Sequence, residues 1–466
     1  MVLVAAVFAV LQLANVTGRD TPDTKNYLSY ALSLRGDGKR EAAMGAVDYA
    51  CAGRASIARR AQSVDTVRFH APSPTRRVTA TCRREQWREV SRRLAAGQTA
   101  GRTAPFMSER FMRIFEVRPG YPALLVPFVT VLGVTWGVWA AGVAVTVAGG
   151  ALAFLVLRTL RAPPRAAVTG QVLFLVLPCG STAMRPMTEG LLLALSLAAL
   201  WGCALTLAGR RRTGAAVLAG SLVALFTVKH AQTLFLGVCL AGACAVAGAL
   251  RGRRRARHGR GSGTVGDGGG PDTGLRTIAA VACCAAAGTL VAARLLHYPS
   301  ETDSVQDLLT NHFAYPDRAR PWREFLHLEA DFWVEWLRRR LWEPLFLSAV
   351  LAAAWGALRQ RPAFGALLLG AAGTGVLTQA AHPDINIWGD RLIVLVWLLP
   401  VVGLPLLLES AVRPHAAAAP PVPGTVPGPV PGSLDEVVTG KGVHPDGHTV
   451  HMPQTVQPSP APPIVR

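Results

Sequence analysis

Four separated segments of the chain carry the side chains from which a reaction centre could be built. The first is Asp20-Thr-Pro-Asp23-Thr-Lys-Asn-Tyr27, two carboxylates followed by a phenol four residues after the second. The second is Arg185-Pro-Met-Thr-Glu189, and the third runs from His382-Pro-Asp384 to Gly389-Asp390-Arg391. The fourth, 297–340, holds His297, His312, the triplet Arg338 to Arg340 and most of a Trp-rich stretch from Trp322 to Trp342. A carboxylate within hydrogen-bond reach of a hydroxyl can take its proton as a new bond forms. Arginine holds phosphate through two parallel N–H bonds, and Arg185, Arg294, Arg391 and Arg338–Arg340 are candidates for that task. Plainer roles compete at each place. Asp20 can cap a helix whose first turn holds Pro22, Asp23 can favour the same helix dipole, and Glu189 can cap the apolar run that it begins.

The elements that must position these residues are membrane helices. Of 466 residues, 51% are apolar and only 16% charged, against about a quarter charged in a soluble protein. The apolar residues come in nearly charge-free runs, and about 18 such residues match the hydrocarbon thickness of a bilayer. The expectation is an all-α, polytopic helical membrane protein with about 10–11 transmembrane segments and a long external first loop. Residues 1–16 read as a short first span, truncated at its start, and 17–120 as an external loop with interfacial helices. A transmembrane bundle over 121–250 precedes a basic, flexible cytoplasmic loop over 251–274. A further bundle over 275–411 contains the external loop 297–340, and 412–466 is a disordered, Pro-rich cytoplasmic tail.

Orientation follows from arginine. The net charge is +20, and clusters at Arg158–Arg165, Arg210–Arg212, Arg251–Arg260 and Arg359–Arg361 fall between apolar runs, as in retained cytoplasmic loops. The charge therefore does not indicate nucleic acid, for no aromatic-interleaved basic face accompanies it. Parity then makes Tyr121–Val134, broken by Pro122 and Pro127, a re-entrant or interfacial segment. Lys229 and His230, between two runs, are expected to snorkel to the interface. Cys51 and Cys82 share the external loop, and a disulfide between them is open from sequence. No metal-ligand spacing and no phosphate-binding Gly-rich loop occurs. Intramembrane acids are nearly absent, which weighs against an ion-coupled pump.

The order of motifs resembles the GT-C superfamily of multi-span glycosyltransferases, which use polyprenyl-phosphate sugars. The likeness rests on Asp23 with Tyr27 after a first span, Arg118-Pro-Gly-Tyr-Pro122 closing a long loop, Arg185-Pro-Met-Thr-Glu189, and Gly389-Asp-Arg391 before the last span. It implies a mannosyltransferase-like enzyme moving a mannose-like sugar or a pentose, with inversion, to a glycan, lipid or protein acceptor of the cell envelope. On this reading Asp23 is the base, with Asp20 its competitor. Tyr27, Arg185, Glu189, His382, Asp390 and Arg391 bind substrate, and neither metal nor cofactor is needed. The active face is extracytoplasmic, and membrane lipids are the surroundings. The alternatives are a transporter or flippase of lipid-linked intermediates and a scaffold acting through its tail.

Overall fold

The computed structural model describes residues 1–257, 271–385 and 391–412. Asp390, most of the basic loop 251–274 and the tail beyond 412 lie outside these residues. Among the described residues the regular structure is helical throughout. The N-terminal part holds α1 (Val2–Gln12), α2 (Thr24–Arg35), α3 (Lys39–Ser63), α4 (Thr75–Ala95) and α5 (Glu109–Glu116). There follow α6 (Gly120–Thr159), α7 (Pro164–Val176), α8 (Pro178–Ala183), α9 (Thr188–Leu207), α10 (Arg211–Arg257) and α11 (Pro271–Leu295). The segment expected as one loop over 297–340 contains α12 (Glu301–Leu309) and α13 (Pro321–Leu341). The chain ends with α14 (Pro344–Gln360), α15 (Pro362–Ala380), a 3-10 turn (Leu392–Trp397) and α16 (Leu398–Val412).

Six helical stretches are long and apolar enough to cross a membrane, or seven if α13 and α14, bent by 95°, form one span. The protein is therefore a multi-pass membrane protein in its physical character. The higher count expected from sequence treated the shorter apolar helices α1 and α7 as spans and divided two long elements. Those two elements are indeed broken. In α6, Gly133 has φ +71°, and a Cβ on Gly137 would lie 2.6 Å from the carbonyl oxygen of Phe128. Nine residues of straight helix span about 13 Å, so the chain folds back at Gly133. In α10, Lys229 is extended (φ −162°, ψ 93°), and the Thr233 hydroxyl donates to the Leu222 carbonyl at 3.3 Å. Eleven residues of straight helix would separate them by about 16 Å. Lys229 therefore sits at the tip of a hairpin.

The bundle is packed through small residues. A Cβ on Gly202 in α9 would meet the Leu218 nitrogen at 2.7 Å, so the backbones of α9 and α10 touch. Such approaches supply the van der Waals contact that holds helices together where no hydrophobic drive separates lipid from side chain. The arginine clusters around Arg158 and Arg361 meet at one end. There Arg361 donates to the Leu160 carbonyl and pairs with Glu409 at 3.4 Å, and Arg158 donates to the Ala162 carbonyl.

The opposite end carries a second layer built from α2 to α5 and the first leg of α6. Gly36 (φ +110°) ends α2, and Glu41 caps α3 by accepting from the Gly38 N–H. Leu28, Leu32, Val47, Phe106 and Val129 form the apolar centre of this layer. Cys51 and Cys82 join α3 to α4 in a disulfide across a separation of 31 residues. Closing a loop of that size in the unfolded chain is worth about 3–4 kcal/mol by chain entropy. Replacing both cysteines with alanine is expected to lower the apparent Tm of the detergent-purified protein. Reductant is expected to lower the wild type to the same value, which a thermal scan with and without reductant measures.

Candidate functional site

The second layer meets the bundle at the start of α2. Thr24 accepts from the Thr21 N–H at 2.8 Å and donates to the Pro186 carbonyl at 3.0 Å, which fastens the α2 start to the segment before α9. Asp23 occupies the N-cap position of α2, yet its carboxylate makes no capping bond. Instead Oδ2 accepts from Nη2 of Arg391 at 2.6 Å. The same guanidinium donates through Nε to Oε1 of Glu189 at 2.9 Å, and Thr188 donates to the other oxygen of Glu189 at 3.1 Å. Glu189 lies in the first turn of α9, where the helix dipole favours negative charge. It is 3% exposed and Arg391 9% exposed. One cation thus bridges carboxylates from two distant parts of the chain.

Tyr27 stands one helical turn beyond Asp23 and faces the same way. It is buried, with its ring edge-on to Phe115 at 5.2 Å and to Tyr121 at 5.6 Å. Burial raises the phenol above its ordinary range, and Arg118 nearby opposes that shift. Lys229 corrects the sequence expectation. It does not reach outward to an interface but is 8% exposed, within electrostatic reach of Glu189, Arg118, Arg391 and Asp23. The hairpin tip turns it inward, because only two residues separate the apolar runs and no polar loop leads out. Lys229, Arg118, His230 and His382 line one cavity of about 420 Å³.

No protein-family model matches the chain, and comparison with curated proteins and with solved structures finds no match. What the site can do must be read from its own geometry.

Asp20 and Arg185 do not join the cluster. Asp20 packs against the backbone of Gly53 in α3, its Oδ1 is buried without a hydrogen bond, and burial raises its carboxyl above the usual range. Arg185 is exposed and lines a different depression, with Arg19, Gln12 and Phe8. Arg294 is also exposed, and Arg338 and Arg339 pair with Glu335 on their own helix. His312 pairs with Asp307 at 3.2 Å. Among the described residues no group of three His, Cys, Asp or Glu is placed to hold a metal ion.

Two outcomes follow from this geometry. Removing Arg391 leaves buried Glu189 without the cation bonded to it, a change that costs about 3–5 kcal/mol. Arg391→Ala is therefore expected to lower the Tm well below that of Glu189→Gln/Arg391→Met, in which both charges are absent. His382 is held neutral, because burial and the cations Lys229, Arg118 and Arg391 push it down to about 3. The unfolded chain, with an ordinary histidine near 6.5, takes up protons first as the pH falls. Stability is thus expected to fall from about pH 6.5 toward pH 3. Thermal scans should show a smaller fall for His382→Gln than for the wild type over that interval.

Proposed function

We propose that the protein is an integral membrane glycosyltransferase that moves a sugar from a polyprenyl-phosphate donor to a cell-envelope acceptor. The observation that carries this reading is the convergence of Asp23, Glu189 and Arg391 beside an open cavity at one end of a membrane bundle. In the proposed reaction Asp23 is the general base. Its Oδ2 is held by Arg391, and Oδ1 accepts no hydrogen bond among the described residues. Oδ1 takes the acceptor hydroxyl's proton as that oxygen attacks the anomeric carbon. The bond from that carbon to the phosphate oxygen breaks, and the electron pair leaves with the lipid phosphate. The new glycosidic bond has inverted configuration.

The reacting end is assigned to the extracytoplasmic side. Two features support this: the clusters around Arg158 and Arg361 meet at the opposite end, in keeping with the positive-inside bias, and the Cys51–Cys82 disulfide suits an oxidising compartment. Asp23 is favoured over Asp20 as base because Asp20 is turned toward α3.

Loss of a general base costs about 10²–10⁴-fold in rate. Asp23→Asn is expected to lower sugar transfer by that factor in membranes supplied with polyprenyl-phosphate sugar, with insertion unchanged. Asp20→Asn is expected to retain transfer. Full activity in Asp23→Asn would rule out the assignment, and lipid movement without transfer in the wild type would favour a flippase.

A further inference from the structure

We infer that the cavity at the α10 hairpin tip binds a phosphate group carried on a long apolar chain, with Lys229 and Arg118 on the phosphate. The observations that point there are groups left without partners. Lys229 is more than nine-tenths buried and forms no hydrogen bond or ion pair among the described residues. Arg118 reaches the Tyr27 hydroxyl, while its Nε is buried and unpartnered. Gln232 is fully buried. Its side-chain amide meets the Thr378 hydroxyl at 2.6 Å. Nδ1 of His230 is also buried without a partner.

All four residues line the same cavity, and the Lys229 ammonium and the Arg118 guanidinium can turn N–H groups toward it. A buried donor left unmade costs about 1–3 kcal/mol, and a charged one more. A cavity that leaves several donors unmade is complementary to an acceptor-rich anion. The carboxylates nearby leave room for one. Asp23 and Glu189 share Arg391 as partner, and Glu301, also on the lining, is exposed at its rim. The formal charges of Asp23, Glu189, Arg391, Lys229 and Arg118 sum to +1.

The rest of the lining selects the kind of anion. Leu234, Phe235, Leu290, Ala293 and Leu377 form an apolar flank, and Leu290 and Leu377 are themselves exposed at the surface of the bundle. A free phosphate gains nothing from such a wall. A lipid phosphate places its headgroup on the donors and its chain along the flank between α11 and α15. This site lies apart from Arg185 and Arg338–Arg340, the arginines that sequence alone nominated. Its identification as the donor's seat rests on the proposed glycosyl transfer, but the binding itself does not.

The test uses the full-length protein purified in detergent, with binding read by native mass spectrometry and thermal shift. Three probes are compared: a polyprenyl phosphate, the matching polyprenol, and inorganic phosphate. The polyprenyl phosphate is expected to bind and raise the Tm, and the other two are expected to do neither at the same concentration. Lys229→Met is expected to weaken that binding by about tenfold or more, the loss of one charge-assisted contact, while Lys229→Arg retains it. Arg118→Met provides the same reading should Lys229→Met fail to fold. Equal binding of polyprenol, equal binding of inorganic phosphate, or undiminished affinity in folded Lys229→Met would each overturn the inference. Asp23→Asn separates the two claims, since it is expected to bind the lipid as the wild type does while transferring sugar about 10²–10⁴-fold more slowly.

Discussion

The site is organised by a single guanidinium that no carboxylate could replace. Arg391 stands between Asp23, which belongs to the layer over the bundle, and Glu189, which begins a membrane helix. Burying Glu189 without that cation would cost several kcal/mol. Any arrangement that separates the start of α9 from Arg391, at the head of the 3-10 turn Leu392–Trp397, is therefore disfavoured. The same cation fixes the start of α2, because Asp23 turns from its own helix to reach it. The Thr24 bond to Pro186 draws the same two parts together without charge.

Two breaks in long apolar elements bring the remaining residues to this point. Folding back at Gly133 lets the first leg of α6 lie under α2, where Val129 joins the apolar centre of the upper layer. Folding back at Lys229 presents a lysine at the end of the bundle where the ion cluster sits. The close approach of Gly137 to Phe128, and the Thr233–Leu222 bond, hold the legs together.

The helical, membrane-spanning character was legible because hydropathy over long runs is a local property. The gathering of Asp23, Tyr27, Glu189 and Arg391 was legible only as an order of motifs, since each lies at a helix end and no periodicity links them. Asp20 and Arg185 show where that reading stops. Asp20 precedes the first turn of α2, so helical spacing does not set its direction, and it meets Gly53 instead. Arg185 lies in a turn between α8 and α9 and points elsewhere. Lys229 was misread because one residue's backbone angles decide whether a lysine between apolar runs turns outward or inward. The Cys51–Cys82 pairing depended on how α3 lies against α4, which composition does not encode.

The account stands on the buried bond between Arg391 and Glu189, and a double-mutant cycle measures it directly. The single variants Glu189→Gln and Arg391→Gln and their combination are compared by thermal or denaturant unfolding in detergent. The account predicts a coupling at the upper end of the roughly 0.5–3 kcal/mol found for residues in one network, with the double variant much less destabilised than the sum of the singles. Additive losses would mean that the two side chains do not meet, and the site as described would not exist.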